Sequence, residues 1–113
     1  MRAFMKFITA MTLSMWLGAS AFAADYYVDI TNKTGFTIFY MYVSPAKSKS
    51  WEEDVLGDNV LMNNATRRVN LRGYSSPIFD IRLVDEDGDS YTFWKVDVSK
   101  TDITVTLDDI DTD

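Results

Sequence analysis

The 113-residue chain contains no cysteine and no histidine. These absences exclude serine–histidine–aspartate and cysteine–histidine catalysis, thiol chemistry, and the usual zinc or copper sites. Disulfide bonds, on which many small exported domains rely, are excluded as well, so the fold depends on its core. Only carboxylates, lysines and tyrosines remain for acid–base chemistry. We therefore expect a protein that is not an enzyme, with a small carboxylate-dependent hydrolase as the weaker alternative.

The N-terminus has the three regions of a secretory signal peptide. Arg2 and Lys6 form a positive first region, and an apolar stretch follows at 7–17. That stretch is shorter than the roughly 20 residues that span a bilayer, which argues against an uncleaved membrane anchor. Ala21 and Ala23 then stand where signal peptidase requires small side chains. We expect residues 1–23 to be removed and the protein to be periplasmic or secreted, with no membrane insertion after cleavage.

Loss of the signal peptide makes the protein more acidic. The net charge falls from −6 to −8, because Arg2 and Lys6 are removed while all 17 acidic residues remain. Nucleic acid and anionic membrane surfaces repel such a domain, so we expect neither as a partner. A cation or a cationic partner is favoured electrostatically, although the same charge also serves to keep an exported protein soluble.

Short runs of β-forming residues, separated by turn residues, predict a single all-β domain at 24–113. About six or seven strands are expected in a small antiparallel β-sandwich, with a small open barrel as the alternative. The run at 36–43 is apolar on both faces, which predicts a central strand, and Gly35 suits the turn before it. The acidic tail at 108–113 is expected to fray. The predicted strands lie at 26–30, 36–43, 67–71, 78–84, 91–98 and 102–107.

The region at 48–57 predicts either one short helix or an ordered loop. Ser50 and Glu53 have the spacing of a helix capping box, and Gly57 is a suitable stop. We expect Trp51, Val55 and Leu56 to be anchored in the core.

An acidic hairpin is predicted where an Asp-Gly pair ending in Gly88 separates two alternating runs. Asp85, Asp87 and Asp89 place carboxylates at alternate positions, a pattern that Ca²⁺ accepts. The spacing is not that of an EF-hand loop, because Val96 stands at the twelfth position, where a glutamate is required. Two interpretations stay open: a solvated hairpin tip with no cofactor, or a weak Ca²⁺ site. The residues that could close such a site across space are Glu52, Glu53 and Asp54.

The predicted partner is a protein or a cell-envelope component. Arg72 and Tyr74, in a loop at 72–77, are the candidate partner-binding residues, because arginine and tyrosine are favoured at interface hot spots. The alternative is an ordinary solvated loop. An uncovered edge strand could also pair with a second copy of the chain and give a homodimer.

Four ordered segments of the chain carry a resemblance to a known family. They read N-x-T-G-x-T-I at 32–38, Y-V-S-P at 42–45, W-x-x-D-x-L-G at 51–57 and D-I-R-x-V-x-E-D-G at 80–88. The set resembles a family of small exported bacterial proteins of unknown function. The resemblance implies a bacterial origin and a single all-β domain, but no activity. It also implies structural roles for Trp51, which would close one end of the sandwich, and for Asp54 and Gly57, with Asp54 accepting backbone N–H groups in its own loop.

Overall fold

Two three-stranded sheets form the protein in the computed structural model, which describes residues 23–112. The all-β fold predicted from the sequence is confirmed. The predicted signal peptide lies outside the described residues, apart from Ala23. Within the described part of the chain, no helix has the length and apolar character needed to cross a membrane. The strands are β1 (Ala24–Lys33), β2 (Ile38–Pro45), β3 (Thr66–Tyr74), β4 (Ile78–Asp85), β5 (Ser90–Asp97) and β6 (Ile103–Thr106).

The strand order is β3-β1-β6 in one sheet and β2-β4-β5 in the other. Three of the four strand pairings are antiparallel, and β1 pairs with β6 in parallel from Ile30↔Ile103 to Lys33↔Thr106. The sandwich is therefore largely antiparallel, with one parallel pair that the sequence does not predict.

Alternation along each strand builds the core, since side chains two residues apart share a face. Burial of these apolar side chains between the sheets is the main favourable contribution to folding. The fully enclosed members are Val28, Ile30, Ile38, Met41, Phe79, Ile81, Leu83, Tyr91 and Val105.

The expectation that the run at 36–43 forms a central strand is wrong, because β4 is the central strand of its sheet and β2 is an outer one. Met41 and Val43 point into the core, whereas Tyr40 is 47% exposed and Tyr42 is partly buried on the opposite face. The second apolar face of β2 therefore belongs to the surface.

The outer edge of β2 is covered by the chain between β2 and β3. Val55 N–H donates to the Met41 carbonyl at 2.8 Å, and Met41 N–H donates to Asp54 Oδ1 at 2.8 Å. Ile38 and Leu61 exchange a pair of backbone hydrogen bonds at 2.9 Å. The other outer strands are β3, β6 and β5. A homodimer through one of these edges stays a prediction.

The region at 48–57 is an ordered loop and not a helix. Trp51 is not anchored in the core: it is partly buried on the outer face of the β2-β4-β5 sheet, where its ring meets Tyr42 and Trp94. Hydrogen bonds to β2 hold the residues around Trp51 beside the sheet. The loop enters the core further along, through Leu56, which is buried, and Val55, which packs against the core, so the expectation is confirmed for these two residues.

The expectation that the acidic tail at 108–113 frays is wrong for residues 108–111. A short 3-10 helix at Leu107–Asp109 is followed by a bridge between Ile110 and Tyr91 of β5. Asp111 N–H donates to the Ser90 carbonyl at 2.8 Å. The tail therefore covers part of the edge of β5.

A buried side chain, Asn32 at the end of β1, ties the two sheets together. Its Nδ2 donates to the carbonyls of Phe36 at 2.7 Å and Leu61 at 3.0 Å. Its Oδ1 accepts from the backbone N–H of Thr34 at 3.0 Å and from the Thr34 hydroxyl at 2.8 Å. All four hydrogen-bonding positions of a fully buried amide are thus used.

Replacing Asn32 by alanine should lower the free energy of unfolding by about 2–4 kcal/mol, since the buried Thr34 N–H loses its partner and the carbonyls of Phe36 and Leu61 each lose one of their two hydrogen bonds. Chemical denaturation would measure the loss. The matched control is Asn70→Ala on β3, an exposed position where we expect a change within about 0.5 kcal/mol. Equal losses for the two variants would contradict the role given to Asn32.

Candidate functional site

The acidic hairpin between β4 and β5 is a tight turn held by its own backbone. Gly88 N–H donates to the Asp85 carbonyl at 3.0 Å, and Asp85 N–H donates to the Asp89 carbonyl at 2.9 Å. Gly88 has φ +84°, a left-handed conformation that glycine adopts without steric cost. The other two turn glycines singled out from the sequence, Gly35 and Gly57, also have positive φ.

The carboxylate of Asp85 is buried and already engaged. Its Oδ1 accepts from the backbone N–H groups of Asp87 at 2.9 Å and Asp89 at 3.0 Å. Its Oδ2 accepts from the Tyr91 hydroxyl at 2.8 Å. Burial raises the pKa of Tyr91 well above its ordinary value, and the Asp85 carboxylate adds to that shift. Asp85 therefore orders the hairpin and satisfies a hydroxyl in the core.

The three predicted metal ligands do lie together, with one oxygen of each of Asp85, Asp87 and Asp89 within 4.8 Å of the others. The acidic residues proposed to close the site do not join this group. Asp54 Oδ1 accepts from Met41 N–H and, at 3.0 Å, from Leu56 N–H in its own loop. The hairpin thus offers two exposed carboxylates beside one that the protein itself uses.

We expect millimolar Ca²⁺ to leave the thermal midpoint of unfolding unchanged relative to EGTA. A ligand that binds only the folded state raises this midpoint, whereas Asp85 has little capacity left for a cation. A rise that disappears in a variant with Asp87→Asn and Asp89→Asn would show that the hairpin binds calcium after all.

Arg72 and Tyr74 lie at the end of β3 and not in a loop at 72–77, because the strand continues to Tyr74. Their role in partner binding stays a prediction. Arg72 is exposed near the end of β3. The ring of Tyr74 is partly buried and packs edge-on against Phe79, with centroids 5.0 Å apart and an interplanar angle of 84°. The tyrosine is thus engaged at the margin of the core.

A different surface gathers the aromatic side chains. The outer side of the β2-β4-β5 sheet carries Tyr42 from β2, Arg82 from β4 and Trp94 from β5, and Trp51 lies over them from the loop; we call these four residues the aromatic face. The Trp51 ring centroid lies 6.3 Å from that of Tyr42 and 5.8 Å from that of Trp94. Trp94 is 62% exposed. The Arg82 guanidinium lies 5.0 Å from the Trp51 centroid, in the range of a cation–π contact.

Hydrogen bonds hold the arginine of this face in place. Arg82 Nε donates to the Thr92 hydroxyl at 3.0 Å, and that hydroxyl donates to Asp111 Oδ2 at 2.6 Å. Ser90 donates to the same oxygen at 2.7 Å. Burial acts to raise the pKa of Asp111, but the hydrogen bonds from Thr92 and Ser90 outweigh it, and the pKa lies below its ordinary value. An ionised tail carboxylate thus orients Thr92 beneath the aromatic face.

A β-bulge sets the direction of Trp94. The β4–β5 register runs from Phe79↔Val96 to Ile81↔Phe93, so Trp94 and Lys95 together oppose Asp80. Lys95 has φ +53°, a conformation that costs a non-glycine residue on the order of 1–3 kcal/mol. Asp80 Oδ1 accepts the Lys95 N–H at 2.8 Å and supports this geometry.

Beside the bulge lies a small cavity of about 120 Å³, which we call the indole pocket. It opens between the two tryptophans and the loop that follows β2. Its lining residues are Ser44, Pro45, Ser48, Lys49, Ser50, Trp51, Asp80 and Trp94.

Comparisons of the chain with protein-family models, with curated proteins and with solved structures find no match. The resemblance to small exported bacterial proteins stays a prediction.

Relieving the strain at Lys95 should stabilise the fold. Lys95→Gly is expected to raise the free energy of unfolding by about 1 kcal/mol, because glycine adopts positive φ without the steric cost. Lys95→Val should lower it by a similar or larger amount, since a β-branched residue is disfavoured there. Denaturant midpoints would compare the two variants, and the reverse order would contradict the strain.

Proposed function

We propose that the protein is an exported, non-enzymatic binding domain whose partner docks on the aromatic face. The observation that carries this proposal is Trp94, a large apolar side chain that is 62% exposed on an ordered sheet. Tryptophan, tyrosine and arginine are the residues enriched at binding hot spots, and the aromatic face contains all three. The ring pair Trp51–Trp94 and the anchored Arg82 give a surface organised before binding, which lowers the entropic cost of association.

The absence of histidine and cysteine from the chain supports a binding function over catalysis. The chain has no histidine and no cysteine, so the common nucleophile and acid–base pairs cannot be formed. The most enclosed carboxylate of the acidic hairpin, Asp85, already accepts hydrogen bonds from two backbone N–H groups and a tyrosine hydroxyl. The partner is proposed to be a protein or a component of the bacterial cell envelope, since the signal peptide predicted at 1–23 would deliver the domain outside the cytoplasm.

Trp94→Ala tests this function. The exposed ring contributes little to the core, so we expect a loss of unfolding free energy below about 1 kcal/mol. Retention of the exported protein by isolated cell envelopes and by periplasmic extract should fall strongly, because the exposed part of the aromatic face is removed. Co-sedimentation and cross-linking would measure retention.

Tyr27→Ala is the matched control, since Tyr27 is an exposed aromatic residue on the other sheet, with 48% exposure. It should be retained like the unmodified protein. Equal retention of the Trp94 and Tyr27 variants would overturn the assignment of the partner surface, and hydrolytic activity of the folded protein would overturn the non-enzymatic function.

A further inference from the structure

We propose that the indole pocket binds one neutral pyranose unit of a glycan. This inference rests on the proposed function and names the ligand class that the same face would recognise. It follows from three features of the pocket: its rings, its polar groups and its charge.

The rings offer an apolar surface of the size of a sugar. The Trp51 and Trp94 centroids lie 5.8 Å apart with an interplanar angle of 37°, so the two indoles form a shallow, angled platform. A pyranose with equatorial hydroxyls presents axial C–H groups on its faces. These weakly positive hydrogens are attracted to the negative face of an aromatic ring, and their burial adds a hydrophobic contribution. The cavity of about 120 Å³ is smaller than the roughly 300 Å³ of sites that enclose a whole ligand, so it limits the ligand to one small ring that stays partly exposed.

The polar groups of the pocket match the hydroxyl groups of a sugar. Asp80 uses Oδ1 for the Lys95 N–H, and its other oxygen faces no donor among the hydrogen bonds of the described residues. Ser44, a buried residue at the base of the pocket, accepts from Glu52 N–H at 2.9 Å through its hydroxyl, which keeps its own hydrogen for donation. Lys49, an exposed lining residue, brings a positive charge to the pocket. These acceptor and donor groups suit a ligand that both donates and accepts hydrogen bonds around an apolar face. Hydrogen bonds to the charged groups among them are stronger than those between neutral groups.

The charge of the pocket favours a neutral ligand over an ion. A cation would meet the positive charge of Lys49, and Arg82 already occupies the cation position 5.0 Å from the Trp51 ring. An anion would meet Asp80 and a chain of net charge −6, or −8 without Arg2 and Lys6. One carboxylate and one ammonium in the same pocket suit a polar molecule without net charge.

The bulge at Lys95 provides an independent observation at the same place. A strained non-glycine residue directly follows Trp94 and is held by Asp80. Such strain concentrates at ligand sites, where bulges re-aim side chains. Here the bulge sets the directions of one ring and one carboxylate of the pocket together.

Tryptophan fluorescence of the exported protein is a specific probe, because Trp51 and Trp94 are the only tryptophans outside the predicted signal peptide. Chitotetraose and cellotetraose, two neutral oligosaccharides with equatorial substituents, should each change the emission saturably. Choline should not. Trp94→Ala should weaken sugar binding roughly tenfold or more, an effect of the size that loss of an aromatic platform has on base binding, and Asp80→Asn should weaken it severalfold. Tyr27→Ala should leave it unchanged. Isothermal titration calorimetry would provide the affinities of variants that lack a tryptophan.

Each outcome decides between the two proposals. Saturable sugar binding that is lost in the Trp94 and Asp80 variants supports the glycan. Retention on cell envelopes that depends on Trp94, with no binding of either oligosaccharide, overturns the glycan and leaves the proposed function standing. Binding of choline in place of the sugars also overturns it. Sugar binding that persists in the Trp94 variant would move the ligand away from the indole pocket and overturn the proposal.

Discussion

The buried amide of Asn32 is the constraint on which the rest of the sandwich depends. Its four hydrogen bonds join the end of β1, in one sheet, to the turn before β2 and to Leu61, which pairs with β2 in the other sheet. A buried polar group is stable only when it is satisfied, so this geometry admits few alternatives. The pairing of Leu61 with Ile38 then fixes one end of the chain between β2 and β3, and the Asp54 carboxylate fixes its middle against Met41. Trp51 lies in this fixed segment, so the position of its ring on the aromatic face depends on these buried hydrogen bonds.

The strands were predictable because each is encoded by a local alternation of side chains, and the hairpin at Gly88 is encoded by a local turn pattern. Their order in space was not, since the parallel pairing of β1 with β6 joins residues more than seventy positions apart. The same limit applies to Asn32, whose partner Leu61 lies 29 positions away. A pattern in one sequence indicates which face is apolar, but it cannot distinguish an apolar face that enters the core from one that forms a surface. Because of that ambiguity, the run at 36–43 was expected to form a central strand, whereas β2 is an outer strand.

The candidate site illustrates the same limit from the functional side. Acidic residues close in sequence are easily found, and Asp85, Asp87 and Asp89 do come together. Their proximity is a consequence of the turn, however, and the buried member serves the turn and Tyr91. The aromatic face is assembled from positions 42, 51, 82 and 94, on three strands and a loop, so no local pattern reveals it. The sequence feature that could have indicated the aromatic face is the apolar run of β2, in which tyrosines lie on the face opposite Met41 and Val43.

Natural sequences satisfy local rules nearly everywhere, and violations concentrate where function requires them. In this domain, Trp94 is exposed although its burial would be favourable, and Lys95 adopts a conformation suited to glycine. Asp80 faces both of these residues from the neighbouring strand. None of the three is required for the core, which is complete on the other side of the sheet. The hydrophobic core accounts for the fold and leaves this strained, exposed cluster without a structural purpose. That coincidence is the strongest physical reason to place the function of the protein on the outer face of its β2-β4-β5 sheet.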